Sequence, residues 1–144
     1  MSAMSDFLEN SLVDQIFRGQ TAPTTSTLYI SLYTAAPSDV GGGTELTGSG
    51  YARVAVTSSL TNWAGTQSSG STAASSGTGG GTSNNIAITF PEPTSGWGQV
   101  QAFGVHDAST GGDLLFHGSL TINKTINEGD TVTFPAGSLA VTFA

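Results

Sequence analysis

Apolar and polar positions along the chain first follow a helical spacing and then change to alternation. Over residues 5–18, Phe7, Leu8, Leu12, Val13, Ile16 and Phe17 recur every three to four positions, with Asp6, Glu9, Asp14 and Gln15 among them. That period predicts a short amphipathic helix. Ser5 suits its N-cap, Asp6 and Glu9 suit the positive end of its dipole, and Gly19 suits its termination. Two uses fit such a helix: a cover over its own β core, or a docking element for a partner.

Beyond Gly19 the period becomes two. Leu28, Ile30 and Leu32 alternate with Tyr29, Ser31 and Tyr33, predicting a half-buried strand over 27–34. Residues 35–50 contain Pro37 and five glycines, a composition that predicts a long exposed loop rather than a ladder strand. Strand character returns over 51–57, 85–90, 99–106, 113–120, 130–134 and 138–143, with separators such as Pro91-Glu-Pro93 and Thr110-Gly-Gly112. The stretch 65–83 is almost entirely Gly, Ser, Thr and Ala with no charge, and it predicts a flexible loop. Seven or eight short strands at this spacing predict one mainly β domain over 1–144, an antiparallel β-sandwich or jelly-roll-like fold behind the N-terminal helix.

Charge changes this picture more than size does. Only 9% of residues are charged, against about 25% in an ordinary soluble domain, so the surface is polar through Ser, Thr and Asn and resists close approach weakly. The net charge is −7 with Arg18, Arg53 and Lys124 as the fixed cations, which argues against direct nucleic-acid binding. The absence of cysteine excludes disulfides and thiolate metal sites. The N-terminal residues lack a basic region followed by an apolar run, and no stretch has the length and apolarity of a membrane span, so a soluble, non-exported protein is expected.

Candidate chemistry is sparse. His106 and Asp107 beside Ser109 suggest a triad, but neighbouring strand residues face opposite sides and no nucleophile elbow is present. The ten carboxylates, Glu45 and Asp107 among them, read as solvated turn residues without a glycosidase pair or a dense calcium loop. Gly41-Gly-Gly43 and Gly79-Gly-Gly81 lack the Lys-Ser/Thr of a phosphate loop, and Asn123-Lys-Thr125 is an unsupported glycosylation sequon. No catalytic residue, cofactor or metal is expected. Phe7, Leu8, Leu12 and Ile16 on the helix, with Arg53, Trp63 and Trp97, are the candidate interface residues. Arg53 fits a clamp on a carboxylate or loop carbonyls, or an intersubunit salt bridge. The tryptophans, with Tyr29, Tyr33 and Tyr51, fit either a sugar-stacking face or the seal of a core or interface.

Several runs carry a resemblance. Residues 28–46, then Gly50-Tyr-Ala-Arg-Val-Ala-Val, Phe90-Pro, Gly104-Val-His-Asp-Ala and Gly112-Asp-Leu-Leu-Phe-His-Gly-Ser-Leu, resemble small structural proteins of tailed bacteriophages, either capsid decoration (cement) or tail-fibre-like. The resemblance covers most of the chain and implies a virion component, made in the host cytoplasm, with no catalytic residues to transfer. The small size, low charge and lack of cysteine then favour a cement protein on the outer capsid, a homotrimer that bridges major capsid protein subunits. The alternative is a tail or fibre-associated module, with a carbohydrate-binding face around the tryptophans.

Overall fold

The computed structural model describes residues 2–22 and 24–143. A short strand β1 (Ser2–Met4) leads into the helix α1 (Asp6–Arg18), and nine strands follow. They are β2 (Thr27–Ala35), β3 (Thr44–Glu45), β4 (Val54–Thr57), β5 (Gly81–Ser83), β6 (Ile88–Thr89), β7 (Gly98–His106), β8 (Leu114–Ile126), β9 (Thr133–Phe134) and β10 (Ala140–Thr142). All the strand pairs are antiparallel. One sheet carries the order β1-β8-β7-β2-β3, with β4 also on β2, and two ribbons, β10-β5 and β6-β9, are separate from it. The mainly β, antiparallel architecture with one N-terminal helix agrees with the sequence periodicity.

The alternation read in β2 explains how the core is assembled. Leu28, Ile30 and Leu32 stand opposite Val56, Val105 and Phe103, and all six belong to the hydrophobic core or pack against it. The ribbons close this face with Ile88, Phe134 and Val141, joined by Phe90 and Leu139 from beside them. The register of β7 on β8 shifts between Val100 and Ala102, and Val100 and Phe103 share the core despite their odd spacing. Asn84, fully buried at the junction of β5 and β6, links the ribbons. Its Nδ2 donates to the carbonyls of Ile86, Phe134 and Pro135, and its Oδ1 accepts from the Leu139 N–H at 2.9 Å.

Three segments differ from the sequence expectation. The 35–50 segment contains β3, which pairs with the end of β2 across an irregular register, and Leu46 just beyond it is buried. The last three residues of the 65–83 segment form β5 against β10. The rest of that segment folds back on itself, with Thr66 bonded to Ser75 and Gly77, and Gln67 bonded to Ala74 and Ser76. β8 runs six residues past the predicted 113–120. It does so through that same shift: Val100 faces Lys124 while Ala102 faces Ser119, so residues 120–123 stand opposite Gln101 alone.

The helix is capped as its ends require. Ser5 Oγ accepts from the Leu8 N–H at 3.3 Å, and Gly19 adopts the left-handed conformation at φ 68°. Ser5 also fixes the helix to the sheet: its N–H donates to the Leu115 carbonyl at 2.9 Å and its hydroxyl to that of Leu114. Beyond Leu12 the apolar side chains of the helix are exposed. None of its residues is buried, so it does not act as a lid on the core.

Candidate functional site

On the face of β2 and β7 opposite the core, alternation places Tyr29, Ser31 and Tyr33 across from His106, Gly104 and Ala102. His106 Nε2 lies 2.9 Å from Ser31 Oγ and 3.2 Å from Tyr33 Oη, and the Tyr33 and His106 rings stack at 6.4 Å. Its Nδ1 is buried without a partner. Burial, reinforced by the nearby Arg53 charge, pushes the imidazole down to about 4, against the pull of Glu45 and Asp107. At neutral pH His106 is therefore uncharged. Asp107 does not orient it; its Oδ1 accepts from the Asp113 N–H at 2.7 Å and closes the 107–113 turn. A triad is thus not assembled.

Beside this cluster, Arg53 meets Glu45 in a two-pronged ion pair, Nε to Oε1 and Nη2 to Oε2, each at 2.8 Å. Its Nη1 donates to the Ala108 and Gly111 carbonyls at 2.8 and 2.9 Å. The guanidinium therefore ties β3 to the 107–113 turn. Tyr51 completes the arrangement: its hydroxyl accepts from the Leu32 N–H and donates to Glu45 Oε1, both at 3.0 Å. Burial raises the Glu45 carboxyl, but the hydrogen bonds from Arg53 and Tyr51 outweigh it and hold the group below its ordinary value. Burial pushes the Tyr51 phenol well above its ordinary value. A cleft of about 530 Å³ opens next to these groups, lined by Tyr33, Arg53 and His106 on the sheet, Phe7 of the helix, and Gly41, Gly42, Gly111 and Gly112 of two turns. His117 and Asp39 pair near it at 2.9 Å. Among the described residues no three side chains converge as metal ligands.

A second opening, of about 600 Å³, is lined by apolar side chains interspersed with serines and threonines. It lies where the irregular part of β8 diverges from the ribbons, between Leu120 and Ile122 on one side and Val132, Phe134 and Leu139 on the other. Lys124 is among its lining residues. Ile122 is 79% exposed there.

The sequence-selected residues are dispersed. Phe7, Leu8 and Leu12 are half-buried in the first two turns of α1, whereas Ile16 is 68% exposed near its end. Arg53 is buried in the clamp, with Glu45 as the carboxylate it required; Glu45 is correspondingly not the solvated turn residue expected. Trp97 is a correction to the surface reading: 6% exposed, it belongs to the core, donates through Nε1 to the Ser49 carbonyl at 3.0 Å, and meets Tyr51 edge-on. Trp63 is half-buried against the same core, 

with its Nε1 buried and unpartnered. No sugar-stacking platform is formed by the two tryptophans, because burial of Trp97 removes its ring face from solvent. Sequence reasoning missed the buried roles of Ser31, Tyr33 and Asn84; the polar phase of β2 was the available signal for the first two.

Fold and surface together define a small antiparallel β module with an internally bonded clamp, a polar cleft beside it, an exposed helix end and a groove along β8. A family model described as Podophage GP4 fiber I protein gp80 matches residues 3–142. The chain belongs to this family, and so to the small virion proteins of tailed phages. No curated protein matches it.

Proposed function

We propose that this chain is a non-enzymatic structural subunit of a phage tail or fibre, acting through protein–protein packing. The family match over nearly the whole chain carries this reading, because the family is described as a fibre protein. The absence of an assembled triad and the commitment of Arg53, Glu45 and Tyr51 to internal bonds support the non-enzymatic part. The family description favours the tail or fibre over the outer capsid, and no observation here favours a cement role. With Trp97 in the core, host carbohydrate recognition through the tryptophans has no part in the proposal.

Gold-labelled antibody against this chain, applied to intact virions, tests the location. Label confined to the tail region is expected, at low copy number by quantitative mass spectrometry. Label distributed over the head at high copy number would overturn the reading and restore the capsid alternative.

A further inference from the structure

The cleft beside the Arg53–Glu45 pair has a polar inner end with an unused acceptor. Tyr33 and His106, each 5% exposed, line it, and the His106 Nδ1 is buried without a hydrogen-bond partner. The Nε2 of the same ring stands within bonding distance of the Ser31 and Tyr33 hydroxyls, either of which can accept its proton. The proton of the uncharged ring is therefore assigned to Nε2, and Nδ1 is left as a bare lone pair.

Carboxylates form the rim. Asp6 at the start of α1, Asp39 and Asp113 line the same cleft and are exposed. Among the described residues Asp6 and Asp113 make no ion pair, while Asp39 gives one oxygen to His117 at 2.9 Å. The lining cation, Arg53, is already committed: its charge is matched by Glu45, and four of its five N–H groups are donated to Glu45, Ala108 and Gly111. An anion entering here would meet three carboxylates and almost no free donor. A metal ion is not matched either, since among the described residues no three side chains converge as ligands. An organic cation bearing N–H groups suits both ends, with its charge at the rim and a donor for the lone pair inside. His106, being uncharged, accepts from such a group without repelling it. The chain's other cations, Arg18 and Lys124, do not line the cleft.

We propose that this cleft binds the ammonium or guanidinium end of a lysine or arginine side chain from a partner protein, with Asp6, Asp39 and Asp113 around the cation and His106 Nδ1 as the innermost acceptor. The volume of about 530 Å³ accommodates one long side chain and some water. A protein as the source of that side chain rests on the packing role proposed above; the preference for an organic cation does not.

Amide NMR on the full chain, read at Gly42 and Gly111 in the cleft wall, tests it by titration with N-acetyl-arginine methylamide and its lysine, glutamine and glutamate analogues. Saturable shifts are expected with the arginine or lysine compound, together with a move of the His106 Nδ1 nitrogen resonance, and none with the other two. Asp113→Lys places a tethered ammonium at the rim and should abolish binding. Asp113→Asn should weaken it about twofold to fivefold, and Glu128→Gln, exposed and outside the cleft, should leave it unchanged. If Asp113→Lys melts early, Asp6→Asn replaces it, with a loss like that of Asp113→Asn expected. Spermidine separates the sources: a spermidine complex that neither cationic amino-acid compound displaces would overturn a protein side chain as the occupant. An equal response to the glutamine compound, a loss of binding in Glu128→Gln, an unmoved His106 resonance, or no saturable shift up to the solubility limit would each overturn the cation site itself. Labelling of virions bears on the location of the subunit alone.

Discussion

His106 is held neutral by its surroundings, and this has a consequence for acid stability. Its imidazole titrates at about 6.5 when unfolded and at about 4 when folded, so the unfolded state takes up a proton first as pH falls. Stability is therefore full above about pH 6.5, declines between 6.5 and 4, and is no longer changed by this group below that window. With allowance for solvent screening the loss is about 2 kcal/mol. Urea midpoints across that range measure it, and His106→Gln should flatten the profile. Glu45, held below its ordinary value, contributes stability above that value and loses it as pH falls further through the folded one. A tighter constraint lies at Gly104, where an added Cβ would stand 2.6 Å from Ser31 Oγ, 3.0 Å from a Tyr33 ring carbon and 3.1 Å from His106 Nε2. Gly104→Ala is expected to cost about 1–3 kcal/mol in equilibrium unfolding, with the His106–Ser31 bond broken or stretched.

At the scale of elements, the 66–78 segment bonds mainly to itself, whereas Gly80 accepts from the Phe143 N–H at 2.8 Å and Gly81 pairs within β5. Removing residues 70–78 should shift the melting temperature by only a few degrees, since shortening a surface loop changes closure entropy slowly. A deletion that extends to Gly81 should cost more, because the β10-β5 pairing loses a residue; thermal melts of the two deletions compare them directly. The same contrast explains what the sequence made legible. β2 follows from period-two alternation because Leu28, Ile30 and Leu32 share one face, β7 follows from Phe103 and Val105 although Val100 is out of phase with them, and α1 follows from its spacing and caps. β3 escaped because two residues carry no period, and the end of β8 because four consecutive residues face one and shift the phase. The clamp was half-legible: Arg53 called for a carboxylate, but residues 46–52 form a loop of no fixed period, so spacing did not select Glu45 over the other acids. Trp97 stayed open between core and surface because its burial depends on Ser49 and Tyr51, more than forty positions away.

For the whole molecule, the large sheet and both ribbons contribute to a single hydrophobic cluster. One cooperative thermal transition is expected, with calorimetric and van't Hoff enthalpies equal. Two resolved transitions would show that the ribbons melt apart from the sheet. The central ladder also joins segments far apart in the chain, with β2 paired to β7 across roughly seventy residues and β1 to β8 across more than a hundred. Tyr51 bonds at the edge of that ladder. Its hydroxyl bridges the Leu32 backbone and Glu45, occupying the stretch of β2 between the partners β4 and β3, so both must be in place before the bridge forms. A bridge that requires both strands is expected to form after the folding barrier. Tyr51→Phe would accordingly leave the refolding rate nearly unchanged and hasten unfolding, so this one phenol sets how long a subunit stays folded more than how quickly it folds.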